Sequence, residues 1–377
     1  MYNFDEIIDR RHTNAMNTDG FRDYIFHADE SMVFPYRDEE FIRMWVADME
    51  FATPDVVIDG IRERLDKRIF GYTRVFENSY YEAFAAWCRR RYGWEFPKRE
   101  LVMSNGVIPA LFELVEYICA PDERVLFLTP SYAYFKYAAD HSRREYVCSD
   151  LINTDGYYTI DWDDFERKCA DEKTTLFIHC NPHNPSGRVW SAGELERLAE
   201  ILERHNMWVI SDEIHCDLLR RGLTHTPLGK IMPDYNRLVT CMAPSKTFNM
   251  AGLMLSNILI RDEGLRKYWD EYSWPYHVEG AGNDAFYSAS QNKMVPGNSA
   301  PYNHNQDQFA VEHVRRWYDY YIERPGSGTR VSSGGVKIIF SDTNTHHRGV
   351  ENYRRSGVTD ALRIPKDSYF AHQIMWD

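Results

Sequence analysis

The chain has 377 residues, 44% hydrophobic and 15% aromatic, enough for a sizeable core and for two or three domains. A net charge of −13 argues against a nucleic-acid or membrane-surface partner, and no apolar run is long enough to span a bilayer. The polar, acidic start Met1-Tyr2-Asn3-Phe4-Asp5-Glu6 is no secretory signal, and the seven cysteines, all between Cys88 and Cys241, lack C-x-x-C spacing. They predict reduced packing thiols of a cytoplasmic protein, with neither a disulfide frame nor a metal site.

An N-terminal arm, residues 1–50, runs into Met44-Trp45-Val46-Ala47-Asp48-Met49-Glu50-Phe51. Thr53 and Pro54 read as the cap and first turn of a helix to about Lys67, with Val57, Ile61 and Leu65 as its buried stripe. Phe70-Gly71-Tyr72-Thr73 reads as a glycine turn presenting a tyrosine. A second helix over Tyr80–Tyr92 carries Phe84 and Trp87 on one face. Leu101 to Leu111 reads as strand, glycine turn at Gly106, then helix, an arrangement that offers free N–H groups to an anion.

From there strands and helices alternate. Strands are expected at Arg124–Leu128, Thr174–Ile178, Met207–Ile210, Leu238–Met242 and Met254–Ile260. Ser191 and Glu194 form a capping box before a helix with Leu195, Leu198 and Leu202 buried and Asn206 closing it. The alternation predicts an α/β fold with a mainly parallel sheet, whose ligands bind beyond the carboxyl ends of its strands. Tyr132, Asn184, Asp212 and Lys246 all fall at such ends.

Each of these four has an ordinary reading alone. Lys246 reads as a surface lysine, Asp212 as a helix cap or ion-pair partner, Asn184 as a turn residue and Tyr132 as a core aromatic. As a set they supply an amine for an aldehyde, an acid for a ring nitrogen, a donor for a phenolate and a stacking face. Gly106, Val107, Ile108 and Ser245 add a cradle for a phosphate. Together they describe a site for pyridoxal 5′-phosphate.

Residues 1 to about 260 resemble a fold-type-I pyridoxal-phosphate enzyme of the class I/II aminotransferase superfamily, within it the MalY/PatB type of cystathionine β-lyase. The matching stretches are Trp45-Val46-Ala47-Asp48-Met49, Phe70-Gly71-Tyr72-Thr73, Cys180 to Trp190, Ser211-Asp212-Glu213-Ile214-His215 and Pro244 to Gly252. The resemblance implies that Lys246 binds the cofactor aldehyde, Asp212 pairs with the ring nitrogen, Asn184 meets the phenolic oxygen and Tyr132 stacks. It places Tyr72 on the phosphate of a neighbouring subunit, which implies a homodimer. His215, three past Asp212, and Met254, eight past Lys246, stand where true aminotransferases usually carry Tyr and a phosphate-binding Arg. The implied reaction is α,β-elimination from a small amino-acid thioether such as cystathionine, with Lys246 as general base; an aminotransferase is the alternative.

A second resemblance begins near Arg261. Tyr302 to Asp307, Val331 to His346 and Arg363 to Asp367 resemble part of a glycoside hydrolase family 2 barrel, with neither catalytic carboxylate matched. The expected organisation is a cofactor-binding domain, 1–260, then a partial α/β barrel-like segment, 261–377. That segment is expected to hold an amphipathic helix over Ala310–Ile322 and an open-edged strand over Val336–Phe340, and His346-His347 is not read as a metal site. It would replace the small domain that, in the lyase family, grips the substrate carboxylate with an arginine. Slow turnover, or an inactive chimera, would follow.

Overall fold

In the computed structural model, residues 3–29, 31–71 and 78–272 are described, the side chains of the last two excepted. The chain divides into two units, Met1–Glu271 and Tyr272–Asp377. The stretches that resemble a glycoside hydrolase, the helix and strand expected over 310–340, His346-His347 and Tyr72 lie outside the described residues.

Near-continuous apolar runs form a sheet whose central strands are buried on both faces. Its strands are β1 (Leu101–Ser104), β2 (Arg124–Thr129), β3 (Glu145–Asp150), β6 (Thr174–Cys180), β7 (Trp208–Asp212), β8 (Leu238–Met242) and β9 (Ser256–Ile260), while β4 (Ile152–Thr154) and β5 (Tyr157–Thr159) form a separate antiparallel pair. The order is β1-β9-β8-β7-β6-β2-β3. β3, β2, β6, β7 and β8 pair in parallel, and β9 alone runs against its neighbours, between β8 and β1. β9 starts at Ser256, two residues later than expected, because Met254 takes a left-handed turn at φ 52°.

The helices are α1 (Phe21–Tyr24), α2 (Asp55–Asp66), α3 (Ser79–Tyr92), α4 (Val107–Ile118), α5 (Ala133–His141), α6 (Trp162–Cys169), α7 (Ala192–Arg204), α8 (Leu228–Ile231), α9 (Pro244–Thr247) and α10 (Glu263–Tyr272). One face of the sheet packs Val125, Phe127, Ile178 and Ile210 with α4, α5 and α10; the other packs Leu126, Leu128, Phe177 and Val209 with α6 and α7. Within α10, Leu265 and Trp269 are buried in the first of these cores.

The capping box of α7 is present: Ser191 N–H donates to Glu194 Oε2 at 2.8 Å and Glu194 N–H to Ser191 Oγ at 3.3 Å. Leu195, Leu198 and Leu202 are buried, each contributing roughly 1.5–3 kcal/mol. Asn206, at φ 53°, closes the helix in the left-handed conformation that asparagine tolerates. α3 ends likewise at Gly93, φ 60°, whose N–H returns to Arg89 O at 3.0 Å.

The reading of α2 needs two corrections. Thr53 does not cap it; its hydroxyl donates instead to Asn249 O, 2.8 Å away. Nor is its apolar stripe buried: Val57 and Ile61 are only partly covered and Leu65 is exposed. Periodicity gave the helix correctly, but it cannot say whether a partner face is present.

Candidate active site

Where β2, β6, β7 and β8 end, and where β1 turns into α4, a cavity of about 330 Å³ opens, within the range of small-molecule sites. Gly106, Val107, Ile108, Tyr132, Asn184, Asp212, His215, Ser245 and Lys246 all line it. Of the residues expected at the site, only Tyr72 is not among them, since it falls outside the described residues. Sequence reasoning missed the contribution of the arm: Tyr24, Trp45, Val46 and Ala47 also line the cavity. The motif Trp45 to Met49 was the signal for it, though not for its position.

Asp212 ends β7 and is buried. Its register neighbours are Cys180 on β6 and Cys241 on β8. Burial pushes both thiols well above their ordinary range, so Asp212 sits between neutral side chains. Burial also raises the Asp212 carboxyl to about 7, against the opposing Ile214 N–H at 3.2 Å and the nearby Lys246. A carboxyl held this way gains most from a cationic partner, because pairing removes the cost of ionising it in a buried place.

Lys246 lies on α9, one turn beyond β8. Burial pulls its ammonium below the ordinary lysine value, with Asp48 and Asp212 opposing. Its Nζ donates to Ala47 O of the arm at 3.2 Å. Burial and the Lys246 charge likewise lower His215. Burial first, then Tyr134 and Asp212, push the half-buried Tyr132 hydroxyl up to about 12, so it stays a neutral aromatic face.

The phosphate cradle is built by the start of α4. Ala110 N–H is the first to bond back, to Gly106 O, which leaves Val107 and Ile108 N–H without helical acceptors. Pro109, the third helical residue, has no N–H to satisfy. A Cβ on Gly106 would meet Pro109 Cδ at 3.1 Å, a tight contact that the proline ring would have to yield to. Asn184 is held at the cavity by its own N–H, which donates to Cys180 Sγ at 3.4 Å. A buried acid, an amine of lowered basicity, a side-chain amide, an aromatic face and an anion-binding helix start fit pyridoxal 5′-phosphate. Among the described residues no group of three His, Cys, Asp or Glu could hold a metal ion, and no helix is long and apolar enough to cross a membrane.

The Aminotransferase class I and II family matches residues 39–295, a match that runs on past Arg261. The chain is 42% identical over 220 residues to cystathionine beta-lyase PatB of Bacillus subtilis, covering 58% of this chain and 57% of that one. It is 30% identical over 254 residues to the protein MalY of Escherichia coli, covering 67% and 62%. It thus spans about three fifths of the length of these curated relatives. Among solved structures, the pyridoxal-phosphate-bound C-S lyase of Staphylococcus hominis superposes with a TM-score of 0.67 at 44% identity, covering 86% of this chain and 78% of that one. Cystalysin of Treponema denticola, which contains pyridoxal 5′-phosphate, superposes with a TM-score of 0.65 at 32% identity, covering 71% and 66%. The sheet is that of the fold-type-I pyridoxal-phosphate enzymes, and the chain belongs to the aminotransferase class I and II family.

Proposed function

We propose that this chain, with pyridoxal 5′-phosphate in the cavity, cleaves the Cβ–S bond of small amino-acid thioethers such as cystathionine. The observation that carries the reading is the meeting of Lys246 and Asp212 in one cavity with the free start of α4. The names of the relatives, cystathionine beta-lyase and C-S lyase, support elimination over transamination. So do His215 and Met254 at the cavity, where aminotransferases usually carry Tyr and Arg.

When bound, the cofactor's ring accepts the electron pair left at Cα as its proton departs. Asp212 would pair with the ring nitrogen, Tyr132 would cover a ring face and the Asn184 amide would donate to the phenolic oxygen. Val107 N–H, Ile108 N–H and the Ser245 hydroxyl would hold the phosphate. Lys246 Nζ, of lowered basicity, takes the Cα proton. The Cβ–S bond then breaks, its electron pair leaves on sulfur, and the proton carried by Lys246 Nζ passes to the sulfur to give a thiol. One water converts the remaining three-carbon fragment to pyruvate and ammonia. In a homodimer Tyr72 would reach the neighbouring subunit's phosphate.

A second reading, of cofactor binding with slow turnover, has its own support. Lys246 is the only lysine or arginine among the described residues that line the cavity, so no other such side chain there pairs with the substrate carboxylate. The stretches that resemble a glycoside hydrolase match neither catalytic carboxylate, and that part of the chain is assigned no catalysis.

The test is incubation of the full chain and cofactor with cystathionine. Thiol and pyruvate should appear in equal amounts with no 2-oxo acid added as amino acceptor. Amino transfer to a 2-oxo acid without thiol release would contradict the lyase reading, and fast, saturable turnover would contradict the slow one.

A further inference from the structure

α9 has only four residues and no side-chain cap. An isolated turn of that length does not hold itself, since nucleating a helix costs more than one turn returns. The base of the Lys246 side chain must therefore be fixed from outside. Two tethers do so. One is Asn249, bound to the arm; the other is Thr247, the residue after Lys246, whose hydroxyl donates to Asp217 Oδ2 at 2.9 Å.

Asp217 lies five residues past Asp212 on the loop from β7. Its carboxylate also accepts from Tyr92 Oη at 2.6 Å, Arg91 Nε at 3.1 Å and Trp87 Nε1 at 3.3 Å, all on α3. The side chain is only 7% exposed. Tyr92 is itself buried with Cys88 and Trp94, so the carboxylate is anchored in a packed core. The Phe248 ring meets the Trp87 ring edge-on at 5.5 Å beside it. The bond to the half-exposed Arg91 adds little by itself, because solvent screens it. The hydroxyl and indole donors define the geometry.

We infer that Asp217 is a positioning residue that holds the Lys246 turn, through the Thr247 hydroxyl, at a fixed distance from the strand end carrying Asp212. It touches neither substrate nor cofactor. This rests on Lys246 being the cofactor-binding amine.

The test compares Thr247→Val, Thr247→Ser and Asp217→Asn in the full chain. Thr247→Val keeps the shape and removes the hydroxyl; Thr247→Ser restores it. Amide hydrogen exchange across residues 244–253 is measured without cofactor, and the pH midpoint of the Lys246-dependent absorbance band with it. In Thr247→Val, exchange should rise about tenfold, as expected for losing a hydrogen bond to a charged acceptor, and the midpoint should move. Thr247→Ser should match wild type in both. Exchange at the wild-type rate in Thr247→Val would overturn the inference. Should Asp217→Asn fail to fold, the two Thr247 variants still decide. A wild type that forms no band with pyridoxal phosphate would instead overturn the reading of Lys246, leaving exchange to judge the tether.

Discussion

The sheet domain and the arm that reaches its cavity are held by different means. Across β1 to β9, nearly every apolar side chain of the central strands is buried. Before residue 72, Asn17, Thr18 and Phe21 are the buried residues among those described. The arm gathers its aromatics into a partly covered cluster, with Phe21 against Trp45 at 5.6 Å and Phe26 against Phe34 at 5.0 Å. Its links to the domain include a set of polar bonds. Asn249 accepts from Met49 N–H at 3.0 Å and donates to Met49 O and Phe51 O, while Lys246 and Thr53 add one bond each. Apolar burial sets the floor of the site cooperatively. Directional bonds help place the arm's side of it, and their loss should leave the domain folded.

Four substitutions would sharpen or break that contrast. The largest effect belongs to the floor: Phe177→Ala empties a fully buried position and should cost about 3–5 kcal/mol in denaturant unfolding. Next comes Asp212→Asn in the cofactor-free chain. The folded carboxyl titrates at about 7 and the unfolded one near 3.8, so the folded state keeps its proton longer. Stability from this group is therefore fully present below about pH 4, falls as pH rises to about 7 and is level above. Asp212→Asn should remove that fall, a difference on the order of a few kcal/mol, seen by unfolding wild type and variant across the window. Parallel pH curves would argue against a buried, unpaired carboxyl.

Asn249→Gly should act on the arm and on the Lys246 turn it tethers, and leave the sheet domain folded. Asn249 sits at φ 52°, so glycine removes the side chain without straining the backbone. Losing its bonds should loosen residues 44–53 by about 2 kcal/mol, read as faster amide exchange there, with the unfolding midpoint of the domain little changed. The smallest effect is expected for Leu65→Ala on the open face of α2, where the side chain is 54% exposed; its cost should stay within about 0.5 kcal/mol.

Much of the floor was legible because its signals are local. Short continuous apolar runs marked the strands, Ser191 and Glu194 marked a helix start, and Asn206 marked its end. Residues expected at strand ends do meet there, because a mostly parallel sheet puts those ends on one side. What escaped sequence reasoning is non-local. The direction of β9 depends on its neighbours, not on its own residues. Thr53 looks like a cap, but the helix starts at Asp55 and the Thr53 hydroxyl donates to Asn249 O, 196 residues on. The same holds for Lys246 with Ala47 and for Thr247 with Asp217, pairs that no spacing in the chain announces.

The central claim is that Lys246 is the amine to which pyridoxal 5′-phosphate attaches. The most direct measurement is borohydride reduction of the full chain incubated with the cofactor, followed by peptide mass mapping. The expected result is a yellow absorbance band bleached by borohydride, cofactor mass fixed on Lys246, and neither in Lys246→Ala. Attachment at another lysine, or a band that survives in Lys246→Ala, would contradict it.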